Sequence, residues 1–380
     1  MKTFYDIYQQ TDFKKISNEI EKIDDARVER ALAAKYRNLE DFMALLSPAA
    51  VKYLPYMLQE AGQITAQRFG KTVQIFIPMY LSNTCTNICT YCGFSFSNKL
   101  PRKILTKHEI EKEIEYIKQW PFEHILLVTG EDNHKVGVEY LLDVLPLFKQ
   151  NFSQVSIEVQ PLDTEEYEKL HQAGVYAVLV YQETYHESTY KKVHPKGKKS
   201  NIRFRLETPD RIGRAGMHKI GLGVLLGLDD WRADSYFNAL HIDYLQNRYW
   251  KAKYSVSFPR IRPHEGDKNF VPQNVTDKNL VQLIAAYRLW NPDLELSLST
   301  RENKNIRDNA FMFGITSMSA FSKTNPGGYA VEPDALEQFS TEDQRKPEEI
   351  ARMIQEKGYD PVWKDWDFVY DADAGIHLAN

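Results

Sequence analysis

From Gln74 onward the chain repeats one unit, a short β-branched or apolar run followed by an amphipathic segment. Parallel strands need a crossover of a dozen or more residues, usually a helix, so this alternation points to βα units feeding a parallel sheet. Eight runs qualify as strands: Gln74–Leu81, Ile125–Thr129, Val155–Gln160, Ala177–Tyr181, Lys219–Leu226, Tyr254–Pro259, Glu295–Thr300 and Gly314–Phe321. Helical patterns fill the gaps at Lys107–Gln119, Val138–Lys149, Thr164–Ala173, Pro209–Ala215, Trp231–Asn247, Asp277–Trp290 and Asn303–Phe313. Thr106 with Glu109 has capping-box spacing, Thr276 with Asn279 marks another helix start, and Gly174 and Gly216 are expected helix stops. Eight units in the roughly 249 residues from Gln74 to Ser322 match the size of a closed barrel, whereas an open doubly wound sheet would leave two edges to protect. The fold expected is α/β, a TIM-type (β/α)8 barrel over residues 73–322.

Residues 1–72 read as a helical N-terminal extension. Ile16, Ile20, Ile23, Val28 and Leu32 recur at near-helical spacing, and a second apolar pattern runs from Leu39 to Phe69 before Gly70. Residues 323–380 form a C-terminal cap or tail after the Pro326-Gly327-Gly328 loop. From Glu332 to Ala379 it carries thirteen Asp/Glu against five Lys/Arg, which predicts a solvated cap or a partner-facing surface. Trp363 and Trp366 within it are expected to pack on the barrel.

The whole chain has 48 Lys+Arg against 52 Asp+Glu, a formal charge of −4, so no overall field recruits nucleic acid or an anionic membrane. No run approaches the roughly 18 apolar residues of a spanning helix, and the N-terminus lacks the apolar segment of a signal peptide. A cytoplasmic location is expected. Lys191, Lys192, Lys196, Lys198, Lys199, Arg203 and Arg205 form a basic stretch after the fourth strand. It reads as a solvated loop, with docking of a negatively charged electron donor as the functional alternative.

Only three cysteines are present, and all lie within eight positions just beyond the first strand: Cys85-Thr-Asn-Ile-Cys89-Thr-Tyr-Cys92. A C-x3-C-x2-C triad of soft thiolates can hold three corners of a 4Fe–4S cubane and leave the fourth iron open. A closed zinc site needs a fourth ligand, and no other cysteine exists. The open iron is useful to a chelating ligand, and S-adenosylmethionine fits that need through its amino and carboxylate groups, the cofactors carrying the hard chemistry.

The cysteine motif followed by a barrel resembles the radical S-adenosylmethionine superfamily, and barrel enzymes keep their reacting groups at the C-terminal strand ends. Thr129-Gly130-Glu131 is similar to the superfamily segment that receives the methionine ammonium. Glu158-Val159-Gln160 puts two polar side chains, one acidic, on one face of the third strand, and Glu158 joins the expected cofactor-binding set. By resemblance Glu183 takes the position that holds the ribose hydroxyls, and Arg205 the position that pairs with the cofactor carboxylate. The glycine-rich run Gly221 to Gly227 resembles the strand along which adenine approaches backbone. Tyr80, Arg301 and Ser319 match the positions that grip the backbone groups of an amino acid in aromatic amino-acid lyases of this superfamily.

Wording along nearly the whole chain, including Leu127–Glu131, Val159–Leu162, Val180–His186, Arg205–Arg214, Leu296–Glu302 and Ser319–Tyr329, resembles the 2-iminoacetate synthase (tyrosine lyase) family of bacterial thiazole and thiamine biosynthesis. The resemblance implies cleavage of L-tyrosine between Cα and Cβ to 2-iminoacetate and 4-cresol, with S-adenosylmethionine converted to 5′-deoxyadenosine and methionine. It also implies thiazole synthase as a partner and a flavodoxin- or ferredoxin-type electron donor. No cysteine follows Cys92, so the second cluster of the hydrogenase-maturation tyrosine lyases is not expected. A tryptophan lyase of the same fold shares the grip residues and stays open as an alternative. So do two readings from other classes, a non-enzymatic iron–sulfur electron carrier and a zinc-dependent interaction module. Glu158, Gln160 and Arg260 are candidates for returning a proton or electron to the cresol fragment.

Overall fold

A computed structural model describes residues 2–264, 270–335 and 337–365. Eight parallel strands close into a barrel: β1 Thr72–Ser82, β2 His124–Thr129, β3 Gln154–Glu158, β4 Val175–Leu179, β5 Lys219–Gly223, β6 Lys253–Ser257, β7 Glu295–Leu298 and β8 Ser317–Ser319. Each pairs with its neighbour in sequence, and β1 pairs with both β2 (Ile77 opposite Ile125) and β8 (Ile75 opposite Met318), which closes the ring. Strands buried on both faces read as continuous apolar runs, and β2, His-Ile-Leu-Leu-Val-Thr, is buried at every position. Helix starts follow the local chemistry. Thr106 with Glu109 and Thr276 with Asn279 both form capping boxes, opening the helices Lys107–Ile117 and Asp277–Trp290. Gly174 and Gly216 follow helix ends with φ of +92° and +75°, a conformation glycine adopts without a Cβ penalty.

The strand limits differ from expectation where backbone departs from the ladder. The fourth strand is Val175–Leu179, so Tyr181 lies beyond it. The fifth ends at Gly223, and the chain onward to Leu226 keeps only the single bridges Glu183–Val224 and Leu226–Arg260. The eighth shrinks to Ser317–Ser319, since Gly314 at φ +159° precedes it and Phe321 at φ +53° follows it.

The N-terminal residues form five α-helices and a 3-10 turn, the last helix, Leu54–Phe69, ending at Gly70 with φ +67°. The first of them reaches the barrel mouth. Tyr8 donates to the Tyr185 carbonyl at 2.9 Å, and Phe4 stacks on His241 with centroids 3.6 Å apart.

Two expectations are corrected. The described part of the acidic tail is not solvated throughout, although of its acidic side chains only Asp343 is buried. Thr324, Asn325 and Tyr329 are buried, Asp343 is buried against Arg307 at 2.7 Å, and the helix Pro347–Glu356 buries Ile350, Met353 and Ile354. A ninth strand, β9 Asp360–Val362, joins β1 in parallel, and Trp363 packs edge-on against Phe122 with centroids 5.1 Å apart. Glu348, Glu349, Arg352 and Glu356 are exposed on the outer face of that helix, an amphipathic arrangement that composition alone does not reveal. Trp366 and the residues after it lie outside the described residues.

The basic stretch, likewise, is not one solvated loop. It winds through the helix Glu187–Val193, a 3-10 turn at Lys198–Ser200 and the helix Ile202–Leu206, and its backbone bonds to the cysteine loop through Ile88 N–H to Lys196 O (2.9 Å) and Thr90 N–H to Val193 O (3.2 Å). Lys191, Lys192, Lys196 and Lys198 are exposed, whereas Lys199 and Arg205 turn inward.

Candidate active site

The C-terminal strand ends surround one cavity of about 1500 Å3, its open mouth included. The ten residues expected from the sequence to hold the cluster, the cofactor or the substrate all line it: Tyr80, Cys85, Cys89, Cys92, Glu131, Glu158, Glu183, Arg205, Arg301 and Ser319.

The three cysteines are free thiols on the loop after β1. Gly130, at the end of β2, lets that loop lie close: a Cβ there would stand 2.1 Å from the Thr84 carbonyl oxygen. Burial pushes the Cys85 thiol up to about 11 and raises that of Cys89, against which Lys199 acts in the opposite direction. Such thiols stay ionised only beside a cation. Among the described residues, no three His, Cys, Asp or Glu side chains converge closely enough to hold one ion. Three thiols lining one mouth are the donor type that holds iron–sulfur clusters.

Beside the cysteines lies a compact box of two acids and two bases. Arg205 donates to Glu131 at 2.9 Å and to the Tyr181 carbonyl at 2.7 Å, and Lys199 donates to Glu183 at 2.7 Å. Asn87, inside the cysteine motif, ties the box to the loop by donating to Glu131 at 2.7 Å and accepting from the Lys199 N–H at 2.9 Å. Burial would raise the Glu131 carboxyl, but Arg205 and Lys199 outweigh it and hold the group below its ordinary value. Glu183 has a φ of +72°, unusual for a residue with a Cβ. The next turn is pinned by buried Asp234, which accepts from the Tyr185 N–H at 2.7 Å and the Thr184 hydroxyl at 3.0 Å.

Across the cavity Arg301 is inward-facing, and among the described residues no carboxylate lies within ion-pair distance of it. Its guanidinium lies 3.3 Å from the centroid of the Phe339 ring, and its remaining donation is a long one to the Arg260 carbonyl at 3.4 Å. Arg262 donates to the Arg301 carbonyl, and Glu302 accepts from Arg260, so the neighbours hold the backbone while the side chain stays available. The Ser319 hydroxyl accepts from the Thr300 N–H at 3.2 Å and joins the Ser322 hydroxyl at 3.2 Å. The Tyr80 hydroxyl donates to Gln338 at 2.8 Å.

Glu158, grouped by sequence with the cofactor residues, lies in the cavity but outside the box. After burial, the charge that acts on it most is that of Arg301, and burial raises its carboxyl from the ordinary 4.5 to about 7. The folded chain therefore keeps a proton that the unfolded chain releases. This contribution is full below about pH 4.5 and is lost as pH rises through about 7. Glu158→Gln is expected to remove that share of the fall in melting temperature between pH 4.5 and pH 7; superimposable profiles for parent and variant would contradict the assignment.

Of the other proton or electron candidates, neither Gln160 nor Arg260 lines the cavity. Gln160 donates to the Val136 carbonyl at 2.9 Å, and Arg260 is committed to Glu302 and the Val275 carbonyl, each at 2.9 Å. Buried polar groups take such bonds because leaving them unmade costs roughly 1–3 kcal/mol. Residues of the site that sequence reasoning missed include Lys199, Gln338 and Phe339. Lys199 was visible only as one charge in a run, and the other two lie in the segment read as tail.

A sequence profile of the radical SAM superfamily matches residues 79–239, and one of the Biotin and Thiamin Synthesis associated domain matches residues 257–360. The chain is 52% identical to the 2-iminoacetate synthase of Escherichia coli (strain K12) over 369 residues, 97% of each chain, and 51% identical to that of Salmonella typhimurium over the same length. Among solved structures, the crystal structure of HydG, a maturase of the FeFe-hydrogenase, is similar with a TM-score of 0.87 at 31% identity, covering 95% of this chain and 81% of that one. The crystal structure of methylornithine synthase shares the fold, with a TM-score of 0.70 at 19% identity over 88% of this chain and 97% of that one.

Proposed function

The chain belongs to the 2-iminoacetate synthase family of radical SAM enzymes, and from that premise we propose that it cleaves L-tyrosine between Cα and Cβ, giving 2-iminoacetate and 4-cresol for thiazole formation in thiamine biosynthesis. The observation that carries this reading is Arg301. A desolvated guanidinium with no carboxylate partner among the described residues, in the same cavity as three thiols, suits the carboxylate of an incoming amino acid.

Cys85, Cys89 and Cys92 would hold a 4Fe–4S cluster, and Glu131, Glu183 and Arg205, with Lys199, would hold S-adenosylmethionine beside it. Bound there, the cluster with one iron open to S-adenosylmethionine supplies the electron that splits its sulfonium and yields a carbon radical. The chain's own contribution is placement. Arg301 clamps the substrate carboxylate, Ser319 adds a hydroxyl beside it, and Tyr80 holds the amino end, so that the amino hydrogen meets the radical. Leu126, Val128 and Leu179 make an apolar wall that keeps water from the reacting atoms. Near-attack placement of this kind is worth several kcal/mol, on the order of 7–11 at its best.

Among the described residues no helix is long and apolar enough to cross a membrane, in keeping with a cytoplasmic enzyme. The exposed Lys191, Lys192, Lys196 and Lys198, on a segment tied to the cysteine loop through the carbonyls of Val193 and Lys196, support docking of an acidic flavodoxin- or ferredoxin-type electron donor close to the cluster. Thiazole synthase, as consumer of the imine, is the expected protein partner. The test is anaerobic incubation of the reconstituted protein with S-adenosylmethionine, reductant and either tyrosine or tryptophan. 4-Cresol and 5′-deoxyadenosine in equal amounts with tyrosine are expected. Turnover of tryptophan alone, or of neither amino acid, would overturn the reading.

A further inference from the structure

The segment Glu337–Asp343 crosses the barrel mouth as a strap. Gln338 accepts from the Gly93 N–H at 3.1 Å through its carbonyl and donates its own N–H to Thr324 O at 2.9 Å. Phe339 lies under Arg301, and the Glu342 N–H reaches Thr300 O at 3.0 Å. The strap is thereby fastened both to the cysteine loop and to the loop after β7. The contact at Gly93 is close, since a Cβ there would stand 2.5 Å from the Gln338 carbonyl oxygen.

The Gln338 side chain bridges two halves of the site. Its amide nitrogen donates to the Cys92 sulfur at 3.4 Å, and its amide oxygen accepts from the Tyr80 hydroxyl at 2.8 Å. The direction of this chain follows from chemistry. A thiolate holding iron can only accept, so the amide must turn its N–H2 towards sulfur. The amide oxygen is then left for Tyr80, whose hydroxyl must donate to it. With its one proton spent, the Tyr80 oxygen can act only as an acceptor towards the cavity.

We infer that Gln338 is a positioning residue that orients Tyr80 as an acceptor for the substrate amino group and, through the same amide, donates to a cluster-ligating sulfur. The inference deepens the function proposed above and rests on it for the identity of the amine. An acceptor at this place turns an N–H of the substrate towards Tyr80 and fixes which amino hydrogen is left for the radical. A hydrogen bond to a ligating sulfur withdraws charge from it and makes the cluster easier to reduce.

Two variants separate the arms, each tested as the anaerobically reconstituted full chain. Gln338→Leu removes both. Gln338→Glu, as a carboxylate of nearly the same shape, keeps the acceptor for Tyr80 but loses the donor to Cys92. The midpoint potential of the cluster, titrated by EPR without tyrosine, is expected to move to more negative values in both variants, further in Gln338→Glu because of the added charge. The KM for tyrosine is expected to rise about tenfold in Gln338→Leu, the effect of one ordinary hydrogen bond, and to change less in Gln338→Glu. An unchanged potential in both variants, or an unchanged tyrosine KM in Gln338→Leu with iron content intact, would overturn the inference. If the parent carries its cluster but cleaves no tyrosine, the proposed function fails by itself, and the potential shift still decides whether Gln338 bonds to Cys92.

Discussion

Replacing Arg301 by alanine is expected to lower kcat/KM for tyrosine by about 10²–10³-fold while leaving the iron content and the response to S-adenosylmethionine unchanged. The magnitude follows from the setting. Truncating one partner of a buried, hydrogen-bonded charge pair costs about 2–5 kcal/mol, and each 1.4 kcal/mol is tenfold. Arg301 is partly buried, with burial pushing its guanidinium below its ordinary value, and has no carboxylate partner among the described residues, so a substrate carboxylate would meet an unneutralised positive charge. Glu158 faces the same space, and without Arg301, the charge that most lowers it, its carboxyl would be pushed further up, so it offers no substitute cation for the substrate carboxylate. Arg301→Lys should recover part of the loss, since an ammonium keeps the charge but not the two-pronged geometry. Competitive binding of a non-reacting tyrosine analogue, followed by its effect on the cluster spectrum, separates lost binding from lost chemistry. An alanine variant with parental kcat/KM would remove Arg301 from the account.

The second large effect is expected at the cysteine loop. Cys89→Ala should abolish both stable cluster binding and cresol formation, yet shift the melting temperature of the iron-free protein by only a few degrees. Loss of one corner leaves two thiolates for a cubane that needs at least three protein ligands before S-adenosylmethionine completes it. The loop itself has other fastenings. Ile88 and Thr90 bond to the backbone of the basic segment, Asn87 bonds to Glu131 and Lys199, and Arg102 donates to the carbonyls of Asn83 and Phe94 at 2.7 and 2.8 Å. Iron and sulfide analysis beside thermal denaturation reads both arms. A variant that keeps a full complement of iron, or one that does not fold, would contradict this division between a cluster-binding thiol and an independently held loop.

What could be read in the sequence depended on how local its cause was. The cysteine triad, the capping boxes and the alternating strands each act within a dozen residues, and each is legible there. Glu131, Glu158, Glu183, Arg301 and Ser319 were reachable one step further, through the resemblance to a superfamily that keeps its reacting groups at the barrel's strand ends, even though no single residue announces it. Lys199 and Gln338 were not reachable. Lys199 is drawn inward by Asn87, 112 positions earlier, and Gln338 meets Tyr80 across 258 positions, contacts that no periodicity encodes. The same holds for β9, whose three residues have no alternation to read and gain their strand character only from the free edge of β1 at Thr72–Gln74. Charge counting misled twice in the same way. It averaged over segments in which a buried side chain and its exposed neighbours carry the same sign.

The central claim is that three thiols of one loop leave an iron open at the cavity where Arg301 waits. It is tested most directly by the EPR spectrum of the reduced, anaerobically reconstituted protein before and after addition of S-adenosylmethionine. A 4Fe–4S signal whose g-values shift on that addition is the predicted result. A signal indifferent to S-adenosylmethionine, or a colourless protein with zinc bound by the three cysteines and a fourth side chain, would contradict it.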